Sequence, residues 1–120
     1  MPEHSVVHNV ILASTPITGT TEAFSGSYTT SRFIEAVLLL TVTAAGGTSP
    51  TLTLKQQVID DGNANWFTYS TDIVTTLDIS SGSLKKAYAL TNLGGVTRVS
   101  YTLGGGSPTA TIKLELVLKD

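Results

Sequence analysis

Residues 38–59 read LLLTVTAAGGTSPTLTLKQQVI, and residues 97–118 read TRVSYTLGGGSPTATIKLELVL. The two stretches share one grammar. Each is an apolar run, then a glycine pair leading into Ser-Pro-Thr, then a second alternating run. The simplest object with that grammar is a β-hairpin, so the sequence predicts two. Gly46 and Gly47 in the first, and Gly105 and Gly106 in the second, supply the positive φ that a tight reversal needs. Pro50 and Pro108 lack an N–H and suit the first residue of a returning strand. The class that follows is all-β.

Alternation extends outward from these motifs. In residues 32–44, Ile34, Ala36, Leu38, Leu40, Val42 and Ala44 share one face by the period of two. Phe33, Glu35, Val37, Leu39, Thr41 and Thr43 share the other. In residues 109–119, Ala110, Ile112, Leu114, Leu116 and Leu118 alternate with Thr111, Lys113, Glu115, Val117 and Lys119. Residues 6–12, 51–59, 66–70, 86–92 and 96–103 also read as strands, and a short one lies near residues 22–24. Residues 71–83 have no single parity, so their register stays open. No window sustains helical periodicity. Seven to nine strands spaced by turns predict an antiparallel β-sandwich, with a jelly roll and an immunoglobulin-like Greek key both open.

The chain has 120 residues, which predicts a single domain over residues 1–120 with a short N-terminal arm of about residues 1–5. Its charged content of 13% is low against a typical ~25%, and Thr, Ser and Gly take the place of charge. Such a surface is common in extracellular β-proteins and in subunits that assemble. A net charge of −2 offers no basic stripe, so no nucleic-acid partner is expected. The absence of cysteine removes disulfides and thiolate metal sites. MPEHSVVHNV at the start has neither a basic stretch nor a long apolar run, so no secretory leader is expected. The apolar stretch 36–40 is far too short to span a membrane.

Little in the sequence points to catalysis. His4 and His8 on an extended chain lie roughly 13 Å apart, too far for one metal ion. No Gly-x-Ser-x-Gly elbow and no phosphate-binding glycine loop is present. No spacing favours a carboxylate pair among Glu22, Glu35, Asp72, Asp78 and Glu115. The expectation is a protein that is not an enzyme, with no cofactor and no metal. Two features leave alternatives open. Asp60, Asp61 and Asn63 read either as a self-bonded polar turn or as the start of a calcium loop. Trp66, beside Phe67 and Tyr69, reads either as core or as an exposed platform for sugar.

The run VLLLTVTAAGGTSPTLTLKQQVIDDGNANWFTYS, followed by RVSYTLGGGSPTATIKLELV, resembles small structural proteins encoded in tailed-bacteriophage virion modules. The elements that carry the resemblance are Gly47 to Leu52, Asp61 to Trp66 and Arg98 to Pro108, and it covers roughly residues 33–118. It implies a non-enzymatic β-sandwich of the phage particle, made in the host cytoplasm. A head decoration protein bound to the outer shell is the first implication, and a tail or neck component the second. The implied partners are the major capsid protein or other virion proteins, and further copies of the chain, as a homotrimer. Such a subunit needs an apolar contact surface. The candidates are Phe33, Val37 and Leu39 on the second face of residues 32–44, and Val6 and Val7 beside the N-terminal arm. A carbohydrate-binding or adhesin module is the alternative, with Trp66 or Tyr69 at its site.

Overall fold

The computed structural model describes residues 6–60, 62 and 64–120. The expected arm at residues 1–5 lies outside them, as do His4, Asp61 and Asn63. The described residues form eight strands, all paired antiparallel: β1 (Val6–Thr18), β2 (Ala23–Phe24), β3 (Tyr28–Thr29), β4 (Glu35–Ile59), β5 (Trp66–Thr68), β6 (Val74–Asp78), β7 (Leu84–Leu90) and β8 (Val96–Lys119).

The repeated motifs do not form hairpins. The chain runs straight through each one, inside the 25-residue β4 and the 24-residue β8. These strands pair with each other, from Glu35 opposite Lys119 to Val58 opposite Thr97. A straight strand of that length would reach about 80 Å. The longest dimension of the molecule is 51 Å, so both strands must bend. They bend where the motifs meet. Gly46 lies opposite Thr109, Thr48 opposite Gly106 and Thr51 opposite Gly104. That pattern is unchanged when the strands are exchanged, so a local two-fold axis runs between Thr48 and Gly106.

The backbone at the corner obeys the same symmetry. Gly47 and Gly105 take φ of 100° and 109°, and Ser49 and Ser107 take 49° and 47°. A Cβ on Gly47 would lie 2.6 Å from the Ser107 carbonyl oxygen, and one on Gly105 would lie 2.6 Å from that of Thr48. Both positions therefore require glycine twice over, by conformation and by space. Gly46 and Gly106 have ordinary negative φ, contrary to their expected turn role. Pro50 and Pro108 are buried, and their carbonyls accept from Ile79 and Gly19. A serine in the left-handed region costs on the order of 1 kcal/mol, so the surrounding pairing must hold it there.

The bend divides the sheet into two layers. One contains β1, the second half of β8, the first half of β4, and β7. The other contains β2 and β3, the first half of β8, the second half of β4, and β5 with β6. This is the strand order of a jelly roll, in which the chain passes back and forth between layers, and it decides against the immunoglobulin-like alternative.

Side chains facing inward from both layers form one core. Leu38, Leu40, Leu52, Leu54, Leu103, Ile112, Leu114, Leu116 and Leu118 are at most 1% exposed. Each contributes roughly 1.5–3 kcal/mol of burial. In β8 the buried parity changes from odd (Val99, Tyr101, Leu103) to even (Ala110 onward) across the corner. In β4 a bulge between Val42 and Ala44 turns Ala44 outward, against the expected alternation. Ile34 precedes the strand and is 73% exposed. The open register of residues 71–83 also has a cause: Thr76 takes φ of 48°, and a bulge there separates the Leu77 and Val74 pairings.

Candidate functional site

The outward face of the β1–β8–β4–β7 layer is built from cross-strand rows. His8, Val117, Val37 and Ala89 form one row, and Val10, Glu115, Leu39 and Ala87 the next. Val6 is 55% exposed, Val10 47% and Val37 37%. Leu39 and Val117 lie half-buried between them. A shallow cavity of about 230 Å3 opens beside Val6, Val37, Ala89 and Val117. Glu115 stands within the strip, between Val10 and Leu39, and charges of both signs border it. His8 Nδ1 lies 3.2 Å from Glu115 Oε2, Lys113 Nζ 3.8 Å from Glu115 Oε1, and Lys119 Nζ 3.5 Å from Glu35 Oε1. These pairs are exposed or half-exposed and of small energetic weight. The face thus interleaves exposed aliphatic side chains with one carboxylate and is bordered by ion pairs.

Of the expected interface residues, Val6, Val37 and Leu39 come together here. Phe33 does not. It is 6% exposed and belongs to the core. It precedes β4, where strand alternation does not apply, and its N–H donates to the Thr30 carbonyl. The Arg32 guanidinium sits 4.7 Å from its ring centre. Val7 also turns inward and packs against the core. Val10, Ala87, Ala89 and Val117 complete the strip. Val117 was legible as the outward parity of the last strand, but only the pairing places it beside Val37.

The other layer presents different chemistry. Arg98 of β8 lies with its guanidinium carbon 4.1 Å from the ring centre of Phe24 and 4.1 Å from that of Trp66. Its Nε donates to Gln57 Oε1 at 2.7 Å, and Gln57 Nε2 donates to Thr68 Oγ1 at 2.9 Å. Loss of solvent around the guanidinium lowers its pKa, and the nearby Glu22 carboxylate acts in the opposite direction. Trp66 is thus neither core nor a free platform: one of its faces holds a cation. Phe67 is 58% exposed. No sequence motif announced this stack, since it joins residues 24, 66 and 98 through strand register alone.

The Asp60 turn is self-bonded. Asp60 Oδ1 accepts from the Ala64 and Asn65 amides at 2.9 and 3.2 Å, and Oδ2 accepts from Asn65 Nδ2 at 3.0 Å. The Ala64 amide contributes most to holding this carboxyl below the usual range, followed by the Asn65 side chain. Both oxygens of Asp60 serve the turn itself, which favours the polar-turn alternative.

No protein-family model matches this chain, and no curated protein matches it in sequence. Solved structures share its fold. The Gt strain of infectious bursal disease virus is similar at a TM-score of 0.67 and 9% identity, over 97% of this chain and 33% of that one. The T=1 particles derived from that virus are similar at 0.68 and 9%, over 97% and 31%. The SPBc2 prophage-derived protein YomS is similar at 0.51 and 8%, over 100% of this chain and 97% of that one. The chain spans about a third of the length of the viral chains it matches. At such identities the likeness is one of fold, and it agrees with the jelly-roll order read from the strand pairing.

Proposed function

We propose that this chain is a non-enzymatic structural protein of a tailed-phage particle, and specifically a decoration protein that binds the outer head shell. The observation that carries the reading is the aliphatic strip of Val6, Val10, Val37, Leu39 and Val117 on one outward sheet face. Aliphatic side chains gain nothing from facing water, and a flat sheet face suits contact with another protein surface. The occurrence of the same fold in proteins of a virus particle and in a prophage-derived protein supports the setting. Many copies bound only to the assembled shell stabilise it by mass action. The self-association that accompanies this role is a homotrimer, with the strip at its contacts.

Quantitative mass spectrometry of washed particles from cells carrying this gene, with immunogold labelling, tests the proposal. The expected result is a constant ratio of this chain to the major capsid protein, with label on the head exterior. Label confined to the tail would move the chain to the tail or neck. Absence from washed particles would overturn the reading.

A further inference from the structure

Among the described residues β1 pairs only with β8, and β7 only with β4, so these two strands are the edges of the layer that carries the aliphatic strip. An open edge is a template for another strand, and folded proteins blunt the edges they do not use with bulges, proline and charge. Both edges are blunted here, and over the same half, the one nearer the glycine corner. On β1, bulges interrupt the pairing after Val10 and after Leu12, the Ile11 carbonyl already accepts from the Gly26 amide, and Pro16 lacks an N–H. On β7, Lys85 and Lys86 stand near the start of the strand. Lys86 lies opposite the buried Leu40, which places a charge at an inward position of the edge.

The other half of each edge carries none of these devices. Residues 6–10 of β1 and 87–90 of β7 pair regularly with their inner neighbours and leave their outer side open. The two open stretches lie level with one another. His8 and Ala89 end one cross-strand row, and Val10 and Ala87 end the next. Their directions are also opposite, since β8 opposes both β1 and β4, and β7 opposes β4. A second copy laid alongside in the same orientation therefore extends the sheet antiparallel. Its His8 falls beside Ala89 and its Val10 beside Ala87, so that a large side chain meets a small one on each outward row.

We propose that the chain self-associates head to tail, with residues 6–10 of one copy adding a strand beside residues 87–90 of the next. The inference rests on the self-association proposed above and specifies its contact. Pairing either edge with its own counterpart would stop at two copies, whereas joining unlike edges is heterologous and can close a ring. Three such junctions close the trimer, and the joined strips form its inner surface.

The chain has no cysteine, so an introduced pair reports a single contact. Directly opposed residues of an antiparallel pair lie within disulfide reach. The test is mild oxidation of the full chain carrying both His8→Cys and Ala89→Cys, beside each single variant. The readouts are non-reducing electrophoresis, and light scattering on the parent. The parent should be a trimer, and the double variant should give covalent dimers and trimers that a reductant reverses. Neither single variant should cross-link. Covalent dimers from His8→Cys alone, or from Ala89→Cys alone, would show like edges meeting and overturn the head-to-tail pairing. A trimeric parent whose double variant stays uncross-linked would overturn the pairing and leave self-association standing. A monomeric parent would overturn the self-association reading itself, and the pairing with it.

Discussion

The two outward faces of the sandwich are built on the same two strands, yet their chemistry differs. On the β1–β8–β4–β7 layer, β4 turns Val37 and Leu39 outward. Past the corner, the same strand turns Thr51, Thr53 and Lys55 outward. On β8 the first face carries Val117 beside Lys113, Glu115 and Lys119, and the second carries Arg98 and Thr102, so the contrast lies chiefly on β4. The second face shows that an outward position on these strands is well served by polar side chains. The aliphatic residues of the first face are therefore not a requirement of the fold, and their presence argues for a partner.

The sharpest way to break this comparison is to place one charge on each side of a single strand. Leu40 is 1% exposed and Leu39 is half-buried on the outer face. Leu40→Asp should abolish folding, because an unpaired carboxylate in the core is far costlier than the domain's stability allows. Leu39→Asp should keep the parent's circular dichroism and lose no more than about 1 kcal/mol of stability. Equal damage from both would mean that the Leu39 face is core.

The corners that join the faces come next. Gly105→Val and Gly47→Val each put a β-branched residue at positive φ and a Cβ 2.6 Å from a backbone oxygen. Each should cost about 3 kcal/mol or more, or on the order of 10 °C in Tm by calorimetry. The local two-fold axis predicts similar losses for the two. An undiminished Tm in either would remove the corner assignment.

A smaller effect belongs to the polar face. Arg98→Lys keeps the charge but loses the planar stack between Phe24 and Trp66 and the Nε bond to Gln57. A loss of about 1 kcal/mol in urea unfolding is expected, with no change in association. If the substitution abolished association instead, the polar face would be the contact surface.

The smallest effect is at the Asp60 turn. Its folded pKa lies below the ordinary ~3.9 of an unfolded aspartate. The contribution of the carboxylate is thus complete above about pH 4 and is lost as pH falls through the lower folded value. An NMR titration of the Asp60 carboxyl carbon should show its midpoint below 3.9. A midpoint at or above it would contradict the self-bonded turn.

Fold class was legible because strand alternation is local: each half of β4 and β8 announces its own buried face. The pairing was not legible. A Gly-Gly-Ser-Pro motif satisfies a hairpin and a corner equally well. Two self-paired hairpins, and two long strands paired with each other, bring the same residue types together. What separates the outcomes is the contact between the two copies of the motif, 58 residues apart along the chain, and no local signal encodes it. The same reason hid the Phe24–Arg98–Trp66 stack. Phe33 was misplaced because parity was continued past the strand's actual start at Glu35. The face carrying Val37 and Leu39 was legible, since it lies well inside a regular strand.

The proposed role requires the aliphatic strip to be a contact surface. Light scattering on the purified parent chain and on Leu39→Asp, at matched concentrations, tests it most directly. The parent should have the mass of a trimer and the variant that of a folded monomer. The same mass for both chains would contradict it.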